Sequence, residues 1–86
     1  NWVILDVRPE ANYASGHISN SMNIPFTNIV SDMDAVPSDK KIAVICTYDT
    51  NSAFAAAMLR VFGDRDAWVV QGGIPAWQEA GKELVV

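Results

Sequence analysis

The chain has 86 residues, half of them hydrophobic, with a net charge of -4, which fits a single domain over residues 1–86 that needs a dense core to hold together. Its 10 acidic against 6 basic side chains argue against nucleic acid or an anionic membrane as a partner, and no apolar run approaches the ~20 residues that cross a bilayer. One cysteine and one histidine can form neither an internal disulfide nor a closed zinc site, so no metal is expected.

In chain order, residues 2–7 form an apolar run of strand length. Pro9 suits the first turn of a helix, where its missing N–H costs nothing, and residues 10–15 form a short helix that Gly16 stops. Residues 18–24 hold a brief strand ending at Pro25. Thr27 or Asn28 caps a helical turn reaching about Met33, and residues 36–40 make a polar turn. Residues 42–46 are apolar throughout, as a strand covered on both faces should be. Asn51 or Ser52 caps the best helix, in which Ala53, Phe54, Ala57, Met58, Val61 and Phe62 recur at helical spacing until Gly63. Residues 67–70 form a further strand, Gly72-Gly73 a turn, and Pro75 opens a last helix that runs through Ala80 to Gly81. Strands alternating with helices predict an α/β domain with a central parallel sheet and helices on both faces.

Functional sites in such sheets gather at the carboxyl ends of strands. The lone cysteine, Cys46, lies at one such end, before the polar loop Thr47-Tyr48-Asp49-Thr50-Asn51-Ser52 and a helix. Backbone N–H groups at a helix start favour an anion, and a thiolate is one. Cys46 is therefore the candidate nucleophile, and the six loop residues are its candidate anion-binding cradle.

Several segments together resemble the rhodanese-like domain family of sulfurtransferases. They are Asp6-Val7-Arg8, followed by Tyr13, Gly16-His17-Ile18 and Asn23-Ile24-Pro25; the strand ending in Cys46; and Gly72-Gly73-Ile74-Pro75-Ala76-Trp77. The resemblance implies a three-layer rhodanese-like domain. It implies that Cys46 accepts a sulfane sulfur as a persulfide, cradled by loop amides, and passes it to a thiol or other nucleophile without a cofactor. The partners implied are a sulfur donor and a thiol acceptor, small molecule or protein, or an adjoining domain of a longer chain. Family members carry an extra strand and helix ahead of the Asp-Val-Arg strand. Because this sequence begins without methionine on Asn1-Trp2-Val3, it reads as trimmed or as a segment of a longer protein, with an edge element missing. No secretory leader is visible, which favours the cytoplasm and leaves the periplasm open.

The loop departs from the family pattern of cysteine, four residues, arginine, serine: Asn51 stands where the arginine would be. Asp49 adds a negative charge, which at roughly 6 Å from the sulfur and an effective dielectric near 20 would oppose a thiolate by about 3 kcal/mol. Dianionic thiosulfate is therefore expected to be a poor donor, and a neutral or protein-borne donor a better one. The alternative reading is a catalytically weak or inactive rhodanese-like binding or regulatory module. His17, Asp6 and Arg8 are read as scaffold, Gly72 and Gly73 as sites of close backbone approach, and Trp2, Trp68 and Trp77 as core.

Overall fold

The apolar run after Asn1 pairs with the run that ends before Cys46, and this pair is the centre of the molecule. A computed structural model describes residues 1–86. Its strands are β1 (Trp2–Asp6), β2 (Met22–Asn23), β3 (Lys41–Ile45) and β4 (Asp66–Val69), and its helices α1 (Glu10–Ser15), α2 (Asp49–Gly63) and α3 (Gly73–Glu79). Two 3-10 turns, Phe26–Asn28 and Met33–Ala35, replace the single helical turn expected there, with Pro25 rather than Thr27 or Asn28 in the capping position. The four strands are all parallel, in the order β2-β1-β3-β4. No helix is long and apolar enough to cross a membrane.

The register fixes what each face carries, because laterally paired residues point the same way. Val3, Ile42 and Ala67 align, as do Leu5, Val44 and Val69. This face packs against Ala55, Ala56 and Leu59 of α2 and against Ile29 and Val36 near the 3-10 turns. The opposite face carries Ile4 and Ile45, which pack with Ile18, Ile74, Trp77 and Leu84. The expected three-layer architecture follows, with apolar side chains on both sides of the sheet.

The amino-terminal half of the second face is bare, and this corrects the reading of two tryptophans. Trp2 is 53% and Trp68 51% exposed. Trp2 lies under the Lys41 ammonium, and the Trp68 indole N–H donates to Asp66. Strand position alone placed them in the core, but nothing packs over that end of the sheet. Trp77 is half-buried as expected.

Helix α2 differs from expectation in its start, its end and its buried face. It begins at Asp49, with Tyr48 rather than Asn51 or Ser52 at the cap position. An acid in the first turn is favoured by the helix dipole, and Ser52 is instead fully buried, its hydroxyl donating to the Asp49 carbonyl oxygen. At the other end Asp64, not Gly63, takes the left-handed conformation (φ 53°). Gly63 is the last helical residue and is small because Met33 packs against it. The buried stripe is Ser52, Ala55, Ala56, Leu59 and Gly63, whereas Phe54 (61%), Val61 (76%) and Phe62 (72%) face solvent. A helix apolar on every side offers two possible stripes, and periodicity cannot choose between them. Helix α3 starts at Gly73, two residues before Pro75.

At the carboxyl end of β1, Asp6 is fully buried and its carboxylate takes Arg8 in a two-pronged ion pair at 2.8–3.0 Å, together with the Arg8 backbone N–H. Arg8 also donates to the Gly16 carbonyl oxygen at 2.7 Å. His17 bonds the Tyr13 carbonyl oxygen and stacks on the Tyr13 ring, while its backbone exchanges hydrogen bonds with Val85. All three act as the scaffold that the sequence implied. Removing the cation from a buried carboxylate costs several kcal/mol. We expect Arg8→Ala to lower the unfolding free energy by about 3 kcal/mol, read as a fall in the urea midpoint, whereas Trp68→Thr shifts it by less than about 0.5 kcal/mol.

Candidate active site

β1 and β3 are neighbours, so the turns that follow them must face each other. The turn after β3 carries Cys46, Thr47 and Tyr48, and the turn after β1 leads through Pro9 into α1. Between them lies a cleft of about 410 Å³ lined by Pro9, Asn12, Cys46, Thr47, Tyr48, Thr50 and Asn51. Cys46 is 5% exposed and belongs at once to this cleft and to the core under α2. Cys46 is thus a recessed residue of the cleft wall, while Tyr48, Thr50 and Asn51 stand exposed at the mouth.

The cleft opens where α2 begins. A helix starting at Asp49 leaves its first backbone N–H groups without intrahelical partners, and no side chain caps them. Such uncapped amides, with the positive end of the helix dipole behind them, are suited to a bound or covalently held anion. The site contains no lysine or arginine: Arg8, which directly precedes Pro9, is paired with Asp6.

Five of the seven residues singled out from the sequence therefore meet around the cleft: Cys46, Thr47, Tyr48, Thr50 and Asn51. Asp49 and Ser52 do not line it. Asp49 turns to the neighbouring Gly72-Gly73 turn and accepts a hydrogen bond from the Gly72 N–H at 2.9 Å. The repulsion assumed for a carboxylate aimed at the sulfur is accordingly an upper bound. Pro9 and Asn12 were not foreseen as lining residues. Their signal lay in topology: adjacent parallel strands deliver adjacent loops, so a turn after β1 had to oppose the turn after β3.

The third wall is the turn before α3. The Ile74 N–H donates to the Cys46 carbonyl oxygen at 2.9 Å. Gly73 (φ 60°) packs so close that an added Cβ would run into the carbonyl oxygens of Cys46 and Thr47. The expected close approach at Gly73 is present, and it fixes the backbone on which the thiol rides. Gly81 (φ 83°) shares the left-handed conformation but has open space around it. Both Gly→Ala changes incur the conformational cost of a positive φ, of about 1 kcal/mol, and only Gly73→Ala adds a clash. Thermal unfolding should show Gly73→Ala to be the more destabilising by at least about 1 kcal/mol. Equal midpoints would remove the close approach as a determinant of the site.

Comparison with known proteins agrees with this geometry. The model of the Rhodanese-like domain family matches residues 1–80. A protein of Pseudoalteromonas translucida named thiosulfate sulfurtransferase GlpE is 34% identical over 83 residues, spanning 96% of this chain and 79% of that one. The adenylyltransferase and sulfurtransferase uba4 of Ogataea parapolymorpha is 36% identical over 76 residues, which are 86% of this chain and 19% of that longer protein. Among solved structures, a rhodanese-related protein from Thermoplasma volcanium superimposes with a TM-score of 0.90 at 37% identity, covering 98% of this chain and 83% of that one.

Proposed function

This chain belongs to the rhodanese-like domain family, and from that premise we propose that it moves a sulfane sulfur through a persulfide on Cys46 to a thiol. The observation that carries the reading is the placement of the sole cysteine, which lines a cleft at the uncapped start of α2. Relatives named as sulfurtransferases supply the reaction class.

The chemistry balances without a cofactor. The Cys46 thiolate attacks the outer sulfur of a donor persulfide, forming a new S–S bond while the donor's S–S bond breaks. The donor leaves as a thiolate, and Cys46 holds the sulfur. An acceptor thiolate then attacks that outer sulfur, the Cys46 S–S bond breaks, and Cys46 returns as thiolate. No electrons are gained or lost overall, so the domain supplies position and electrostatics. The uncapped amides at the start of α2 would meet the negative charge of a sulfur held on Cys46, and the Thr47 and Thr50 hydroxyls and the Asn51 carboxamide would add uncharged donors. Asp49, tied to Gly72, and Ser52, tied to the Asp49 carbonyl oxygen, hold the loop's shape. An adjoining domain of a longer chain would serve as donor or acceptor as well as a separate protein.

Asn51 sets the donor preference. Without a guanidinium, the cleft offers only neutral donors to the two charges of thiosulfate, and charge-assisted bonds are about twice as strong as neutral ones. A persulfide carried on a thiol places less charge in the cleft and is the better donor. Intact-mass measurement after incubation with a small-molecule persulfide should show the gain of one sulfur, absent in Cys46→Ser. A protein that gains no sulfur from any donor is instead a binding or regulatory module. Asn51→Arg should raise kcat/KM for thiosulfate about tenfold, the equivalent of one charge-assisted hydrogen bond. An unchanged value would sink the electrostatic account while leaving the role of Cys46 intact.

A further inference from the structure

Helix α2 has a solvent face that lacks the usual character of one. Between Asp49 and Gly63 its only charged residues are those at position 49 and Arg60, and the Arg60 guanidinium is engaged by the Ala67 carbonyl oxygen at 2.7 Å. The remaining exposed arc carries Thr50, Asn51, Ala53, Phe54, Ala57, Val61 and Phe62. An uncharged, largely apolar exposed strip of this kind marks a contact surface.

The strip is continuous with the candidate active site. Thr50 lines both the Cys46 cleft and an apolar recess formed with Ala53, Phe54 and Ala57. From Thr50 to Val61 the face runs roughly 16 Å along the helix, at 1.5 Å per residue. A partner lying along it would bring its near end to the mouth of the cleft. Two lining residues of the mouth are each followed in the chain by an exposed acid, Pro9 by Glu10 and Tyr48 by Asp49, and no lysine or arginine lines either the cleft or the recess. An acidic rim and an apolar strip together fit cationic side chains close to the delivered sulfur and apolar ones farther away.

We propose that the exposed face of α2 docks the protein that exchanges sulfur with Cys46, a partner whose reactive cysteine is flanked by lysine or arginine and followed by an apolar helical ridge. This rests on the sulfur-transfer reading above. It gives that reaction a macromolecular partner in place of a free small thiol. It also supplies from outside the positive charge that Asn51 does not provide.

The probe is a synthetic helix-forming peptide with one cysteine, two flanking lysines and leucines at positions i, i+3 and i+7 beyond them. A version with serine for cysteine reports binding alone, and one with glutamate for lysine tests the charge. In heteronuclear NMR the serine peptide should shift the amides of Thr50, Ala53, Phe54, Ala57 and Val61. Phe54→Ser and Val61→Lys, both on the exposed face, should weaken binding at least tenfold, and so should the glutamate peptide. With persulfidated protein, both variants should slow transfer to the cysteine peptide at least tenfold while transfer to 2-mercaptoethanol stays within twofold. No shifts, shifts confined to another face, or an equal loss with both acceptors overturns the proposal. So does sedimentation showing that the protein pairs with itself through this face and that Val61→Lys makes it monomeric. If Cys46 takes up no sulfur, the sulfur-transfer reading fails instead, and the binding arm, which needs no sulfur, still decides where a partner docks.

Discussion

The parallel pairing of β1 with β3, from Trp2 beside Lys41 to Asp6 beside Ile45, is the constraint on which the rest of the domain hangs. Two strands in register end at one level, and the Val7 N–H extends the ladder to the Ile45 carbonyl oxygen at 3.0 Å. Their following turns have no choice but to meet. On the far side of β3 the Val70 N–H bonds the Val44 carbonyl oxygen, and the Ile74 N–H bonds that of Cys46. The cysteine backbone is therefore clamped from both flanks by main-chain contacts that do not depend on its own side chain. The position of Cys46 in the cleft wall is thus set by the sheet.

Much of this was legible in the sequence. Short apolar runs separated by Pro9, Gly16, Pro25 and Gly72 marked strands and turns, and their alternation with helices required a parallel sheet. The position of Cys46 at a strand end then pointed to the candidate site, and the structure forms a cleft there. What was not legible depended on long-range choices. Helix α2 is apolar on all sides, so which side meets the sheet was decided by the shape of the sheet and the Gly63–Met33 fit. Trp2 and Trp68 have the composition of core residues, but no element reaches the end of the sheet where they stand. The carboxylate of Asp49 found its partner 23 residues away in Gly72, a contact that no local pattern encodes.

That contact changes how the charge of the site should be viewed. Asp49 is an anchor between two of the cleft's walls, and its fixed position keeps an acid at the rim rather than beside the sulfur. With Arg8 committed to Asp6, the cleft relies on backbone dipoles and neutral side chains. The same design leaves the entrance weakly acidic, and the apolar flank of α2 begins directly beside it.

The solitude of Cys46 has a chemical corollary. Once its sulfur is oxidised, no neighbouring thiol in these 86 residues can form the disulfide that would reset it. A sulfenic acid or mixed disulfide there must therefore be cleared by a thiol from another molecule or domain, one able to enter the recess. A sulfenic acid left waiting there would progress toward irreversible sulfinate. On the proposed chemistry, a cleft occupied by loaded sulfur or by a docked partner would also shield the thiol from overoxidation.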